Sequence, residues 1–429
     1  MSEPDAGTLA GPAAAGSGLL AADPAFSGPL GEYAQIAGTM TEADPYAVLV
    51  TALVCAATAI GRGAAVRTGD TVQPPTLFAL LVAETPKANR GISWRLARQM
   101  LDAAAPPGWG RVVQGLSGPA GLTGAISART RPAPGQGDSP GLLVHEPMFA
   151  RSLAMSRKSS SPLPWLLRNA WDGLPLDAVH HPGTRHHVGL VAHVTLEQLR
   201  TQTSLTDASA SFLGRFLFVR VRRPRPVPDE GSVPARVTQR IGALLAPRLE
   251  HARQAGPMRR GVDCTSFWFR AYQEIAADDP GGLLGIAVAR AAWFVTRLSL
   301  VYAVTDGDDE IRPRHLEAAL SLWRYCRESA AWALSDGGDE VIQPDGGDEV
   351  IQRRLLEAIS EAGPVGLSLT GQSAAFGRNV PADRIAAARS ALEAGGTIET
   401  VTLAAPRGRG RPARVSRRRH VPSIDSFPS

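Results

Sequence analysis

LFALLVAETPKANRGISWRLARQML, residues 77–101, decides how this chain is read. Its opening, LFALLVA, is apolar without interruption, the pattern of a strand buried on both faces. A polar turn follows, ETPKANR, and then GISWRLARQML, where apolar residues return at the spacing of one helix face. Strand, turn and helix in that order build a phosphate-binding loop: amides at the helix start point at phosphate oxygens, glycines let the backbone approach, and a lysine neutralises charge. The standard spacing is GxxxxGK[ST]. Aligned from the end of the strand, the corresponding residues are Ala83, Glu84-Thr85-Pro86-Lys87, Ala88, Asn89 and Arg90, so both glycines and the lysine are missing. Gly91 and Ser93 stand where a helix start presents free amides, and Lys87 and Arg90 bring cations to the turn. The plain alternative is an ordinary strand-to-helix turn with solvated basic residues.

Outward from this stretch, RVVQG, GLLVHE, HHVGLVAHV and FLFVRV are further short apolar runs, with helical text such as PAGLTGAISAR between them. Such runs separated by helices predict an α/β fold with a mainly parallel sheet covered on both faces. Two helices, over 28–38 and 45–60, precede it, the second announced by Asp44-Pro45. The expected domains are a disordered Ala/Gly/Pro-rich tail over 1–27, the α/β core over 28–225 and a helical lid subdomain over 226–334. A repeat linker over 335–352, a winged helix over 353–405 and a basic disordered tail over 406–429 follow. The linker contains GGDEVIQ twice, too short a unit for a solenoid. The winged helix is read from helix, short helix, helix and hairpin in succession.

At 429 residues and 44% hydrophobic composition the chain is long enough for two or three domains. Its net charge of +5 permits contact with phosphate or nucleic acid. The charge is concentrated near the C-terminus, where Arg407, Arg409, Arg411, Arg414, Arg417, Arg418 and Arg419 occur without an acid between them. Arg407, Arg409, Arg411, Arg417, Arg418 and Arg419 are the expected nucleic-acid contacts, following the phosphate backbone without reading sequence. Cys55, Cys264 and Cys326 are far apart in apolar surroundings, as expected of reduced core residues in a cytoplasmic protein. The N-terminus lacks the basic opening of a signal peptide, and the apolar run 47–60 falls short of a bilayer span, so no membrane partner is expected.

GLLVHE ends in Glu146, a carboxylate at a strand terminus able to orient water or hold a metal's water shell. Asp172, before Gly173, is a lesser candidate for the same cluster and reads more simply as a turn residue. Among the histidines of HHPGTRHHVGLVAH, His187 and His193 are six apart on a strand, about 20 Å by strand rise, and cannot share a metal ion. Arg290 and Arg297 share one face of an apolar helix and need partners, carboxylates or phosphate, with carboxylates expected.

The segments VAETPKANRGISW, DPYAVLVTAL, VVQGLSGPAGL, LLVHEPMFA, LRNAWDG, VGLVAHVT, GRFLFVRVRR and HLEAALSLWRYC occur in an order that resembles a family of actinobacterial and phage proteins. That family is a domain of unknown function related to the helicase-like ATPase part of primase-helicase proteins, and the resemblance runs from about residue 26 to 405. It implies a RecA-like P-loop core using ATP and Mg2+. Lys87, Arg90 and Gly91 would then hold phosphate, and Ser93 with Glu146 would serve the metal. His193 would sense the γ-phosphate, and Arg215 would reach across a subunit boundary of a homo-oligomer as a finger, with a structural salt bridge as its alternative. Ala83, Arg90 and Ile92 replace that family's glycine, lysine and threonine, and an arginine does not reproduce a lysine at such a site. The expectation is therefore a DNA-associated ATPase-like protein of a mobile element, with weak or lost turnover. A non-catalytic DNA-binding replication initiator or regulatory scaffold is the other reading.

Overall fold

A computed structural model of the chain describes residues 23–85, 90–104, 112–115, 141–157, 161–174, 176, 186–203, 210–227, 229, 231–334, 348–376, 382–403 and 413–419. It divides into two units, Met1–Leu334 and Ser335–Ser429. Each unit has a buried core of its own.

The first unit opens with α1 (Gly28–Met40) and α2 (Pro45–Ile60). α2 starts where it does because the Asp44 carboxylate accepts the N–H groups of Tyr46 and Ala47 at 2.9 and 3.3 Å while Pro45 presets the first turn. Its length is almost wholly buried, which accounts for the absence of a polar stripe. β1 (Ala64–Thr68) and β2 (Thr71–Gln73) form an antiparallel pair. Then come β3 (Phe78–Ala83), α3 (Arg90–Ala104), β4 (Val112–Gln114), β5 (Leu142–Glu146), α4 (Phe149–Ser156) and α5 (Leu163–Asp172). β6 (Val188–Thr195), α6 (Leu196–Gln202) and β7 (Leu217–Val221) complete the main sheet region. α7 (Ala235–Ala252), β8 (Gly256–Met258), α8 (Thr265–Ala277), α9 (Gly282–Val288), α10 (Ala291–Asp306) and α11 (Pro313–Leu334) finish the unit.

The main sheet has five strands in the order β4-β5-β6-β3-β7, every neighbouring pair parallel. All residues of β3 and β5 are buried, as the unbroken apolar runs require. α2 lies so close to β6 that a Cβ on Gly189 would meet Thr58 Oγ1 at 1.9 Å, so that strand position admits only glycine. β8 pairs with β1, not with the main sheet. The helical text PAGLTGAISAR lies outside the described residues.

Residues 226–334 do not form the separate lid that the sequence predicts. α7 packs on α3 and α1, while α10 and α11 pack on α1, α2 and β7, so these helices share one continuous core that runs from Ala25 to Ala333. The stretch Gly282–Asp306 is long and apolar enough by composition to cross a bilayer. Its α10 part is buried in this core, which supplies the apolar surroundings its side chains need.

The second unit contains α12 (Asp348–Glu361), β9 (Leu367–Ser368), α13 (Leu369–Ala375), α14 (Ala382–Ala394), β10 (Ile398–Leu403) and β11 (Ala413–Arg418). The three strands pair in the order β10-β11-β9. Two sequence boundaries move here. The second repeat copy is not all linker, because α12 starts at Asp348 and Ile351 joins Leu355 and Ile359 in the core at helical spacing. The expected tail over 406–429 is in part a strand, since Ala413–Arg418 pairs antiparallel with Ile398–Leu403 and buries Val415 and Ser416.

Candidate functional site

β3 and β6 are neighbours whose chains leave in opposite directions. β3 connects through α3 toward β4 at one edge, and β6 connects through α6 toward β7 at the other. Right-handed crossovers then put α3 and α6 on opposite faces, and a crevice opens beyond the carboxyl ends of these strands. α3 indeed packs on α2 and α7, whereas α6 packs on α4 and α11. The strand, turn and helix quoted first therefore sit at the topological switch point, where ligands bind in open α/β sheets.

The helix begins at Arg90, which places Gly91, Ile92 and Ser93 in its first turn. This shifts the register read from the strand end by three residues. Counted from the helix, the GxxxxGK[ST] spacing starts at Pro86, keeps its second glycine as Gly91 and its hydroxyl as Ser93, and has Ile92 at the lysine. Lys87 lies outside the described residues, and Arg90 is the first residue of α3. Gly91 is exposed, but Ile92 is 3% and Ser93 0% exposed, and the Ser93 Oγ has no hydrogen-bond partner. At the strand end, Glu84 is tied to Arg220 at 2.7 Å, which neutralises an acid that would repel phosphate.

Strand parity decides what faces this helix. His145 is in register with Val191, and Glu146 with Ala192, so His145 points to the same face as His193 and Glu146 to the other. On the α3 face, the Trp94 indole stacks on the His145 ring with centroids 4.0 Å apart and planes 4° from parallel. His145 Nε2 lies 3.3 Å from His193 Nε2. Burial, with the Arg98 charge added, pushes the His145 pKa down to about 4, so the ring is neutral. On the opposite face the Glu146 carboxylate accepts the Met148 N–H at 3.0 Å and the Ser152 hydroxyl at 3.4 Å, closing the turn into α4.

These positions bear on several expectations. Glu146 is engaged in its own turn and does not share a face with the helix start; parity, legible in LLVHE, selects His145 instead. Ser93 has the hydroxyl expected of a metal ligand but encloses it in the core. His193 stands beside His145 in the packed stack. Arg215 is 5% exposed and bound to Asp172 at 2.6 Å, with its guanidinium over the Trp171 ring, the geometry of the structural salt bridge that was its alternative reading. Arg297 takes as partners the Thr76 carbonyl at 2.9 Å and the face of Trp171 at 3.7 Å, where a carboxylate was expected. His187 bonds to the Ala57 carbonyl at 3.0 Å, while His180 and His181 lie outside the described residues.

The described residues around the switch point do not fit a magnesium triphosphate. An isoleucine occupies the lysine position, an imidazole takes the place of the inward carboxylate, and the serine hydroxyl is enclosed. A separate group, Asp306, Asp308 and His315, brings three potential ligand atoms within 4.8 Å. His315 Nδ1 accepts the Arg312 N–H, so a neutral ring carries its proton on Nε2, facing the carboxylates, and Arg314 pairs with both acids. That group is an ion-pair network.

In the second unit, Arg417 pairs with Glu399 at 2.8 Å and Arg418 Nε donates to Ser360 Oγ at 2.8 Å. Arg414 and Arg419 are exposed, and Arg407, Arg409 and Arg411 lie outside the described residues.

The five-stranded all-parallel sheet, with its strand, turn and helix at the switch point, defines an α/β protein. Among solved structures it is similar to the Orc1 protein of Aeropyrum pernix in complex with DNA, at a TM-score of 0.20 and 16% identity, covering 80% of this chain and 83% of that one. A likeness so faint carries no functional argument. No protein-family model matches the chain, and no curated protein is similar to it.

Proposed function

We propose that the protein is a DNA-associated, P-loop ATPase-like protein in which the α/β core serves as a non-catalytic scaffold and the second unit is a DNA-binding winged helix. The observation that carries the scaffold reading is the Trp94, His145 and His193 stack, which fills with aromatic rings the face where a P-loop enzyme needs a carboxylate and a metal. Support for the winged helix comes from the order helix, strand, two helices and a hairpin, with three paired strands. Support for DNA comes from the basic hairpin, where Arg414 is exposed on β11 and further arginines fill the connection to β10. The RecA-like subclass, the mobile-element setting and any homo-oligomer belong to this same reading.

The test uses the purified full chain. ATP hydrolysis with Mg2+ is measured beside duplex DNA binding over a salt series. The expected result is no turnover above the blank, and DNA affinity that falls steeply as salt rises. Magnesium-dependent hydrolysis that disappears in Glu146→Gln would overturn the scaffold reading, and DNA affinity indifferent to salt would overturn the winged-helix reading.

A further inference from the structure

At the amino ends of the strands, the far side of the sheet from the phosphate-type turn, lies a second concentration of chemistry. β3 alone separates the two by about 20 Å of strand rise. Here Arg297 of α10, Arg290 at the start of α10, Arg215 just before β7 and Arg62 just after α2 gather around the Trp171 ring. The guanidinium carbons of Arg297, Arg215 and Arg290 lie 3.7, 5.6 and 5.9 Å from its centroid. Arg62 Nη1 stands 3.1 Å from where a Cβ on Gly173 would be, two residues beyond the ring.

Among the described residues, the charges of Arg290 and Arg297 are not balanced. Asp172 is the one carboxylate, among the described residues, acting on Arg290 and Arg297, and it already binds Arg215. Burial pushes Arg297 down to about 9, and Arg215, Arg290 and Arg62 push further against the pull of Asp172. A guanidinium keeps its proton in a protein, so the cost stands as uncompensated positive charge in a low-dielectric setting. The amino end of α10 adds a partial positive charge, while the carboxyl end of α5 offsets some of it.

Two donors are also left over. Trp171 and Arg297 are each 1% exposed, and neither Trp171 Nε1 nor Arg297 Nε has a hydrogen-bond acceptor. Buried donors are almost always paired, so two in one cluster of excess positive charge call for an acceptor that is itself an anion. The cluster has an open side, because the Asp172 side chain is 31% exposed and Arg290 and Arg62 are half-buried.

We propose that this cluster is an anion site for a phosphoryl group, held by Arg290 and Arg297 over the Trp171 edge and distinct from the switch-point crevice. Planar guanidinium forks match phosphate oxygens in pairs, and the ring fixes the plane of Arg297. Asp172 anchors Arg215 and limits affinity by repelling the incoming anion. The phosphoryl group belongs either to a free phosphate or to a nucleic-acid backbone.

The test measures thermal unfolding and calorimetry on the full chain with inorganic phosphate and pyrophosphate, against sodium chloride at matched ionic strength. Both anions should raise the melting temperature beyond chloride. Arg290→Gln, a half-buried change that keeps a donor, should weaken pyrophosphate about tenfold, and Asp172→Asn should tighten it. A purely structural cluster would leave the response of both variants equal to wild type, and that result, or no response beyond chloride, overturns the proposal. A short DNA duplex that competes with pyrophosphate in wild type identifies the backbone as the source; pyrophosphate binding indifferent to duplex identifies a free phosphate.

Discussion

Lowering the pH from 7 to 5 should remove about 2 kcal/mol from the stability of the first unit through His187 alone. His187 is 3% exposed, its Nε2 donates to the Ala57 carbonyl at 3.0 Å, and its Nδ1 lies 3.4 Å from Thr76 Oγ1. Burial, followed by the Arg62 charge, holds its pKa down at about 3, with the Ala57 bond pulling the other way and Arg297 adding to the depression. Below the ordinary value of 6.5 the unfolded chain takes up a proton that the folded chain refuses. The contribution is therefore complete above pH 6.5 and is lost as pH falls toward 3, at ~1.4 kcal/mol per pH unit. One and a half units below 6.5 gives the stated figure. Urea unfolding of wild type and His187→Gln at pH 7 and pH 5 isolates it, since glutamine keeps an N–H for Ala57 and does not titrate. Wild type should lose about 2 kcal/mol more than the variant. Equal losses would refute the reasoning and mean that the ring can be protonated in place.

Trp94→Ala should cost about 2 kcal/mol in urea unfolding and let the His145 pKa, followed by NMR, climb from about 4 toward its ordinary value; an unmoved titration would show that the stack does not shield it. Glu146→Gln should cost about 1 kcal/mol of stability through the weakened Met148 and Ser152 bonds, with nucleotide turnover unchanged from wild type. Arg215→Met should destabilise by about 2 kcal/mol in urea unfolding by stranding Asp172; an unchanged midpoint would show that the pair contributes nothing. In the second unit, Arg414→Ala should weaken duplex binding evenly across sequences and lower the salt slope by about one. Arg417→Ala, already paired with Glu399, should do less.

Periodicity carried far because burial imposes it directly. The unbroken run in FALLVA appears as β3 between two neighbours, and Asp44-Pro45 starts α2 where its capping chemistry predicts. Parity along LLVHE is also in the sequence, and it puts His145, with Glu146 on the other face, toward α3. The Arg-rich segment hid a strand, since Val415 and Ser416 are two buried residues flanked by arginines and only their pairing with β10 reveals them.

The amino-acid sequence by itself determined the local elements, the α/β class and the basic C-terminal region, because each depends on spacing within about twenty residues of chain. Tertiary structure alone decided that Trp94 covers His145, that Arg215 belongs to Asp172, and that arginines from three separate segments converge on Trp171. Those contacts join residues tens to hundreds of positions apart. Their energies come from distance, desolvation and shared burial, which no periodicity in the chain encodes.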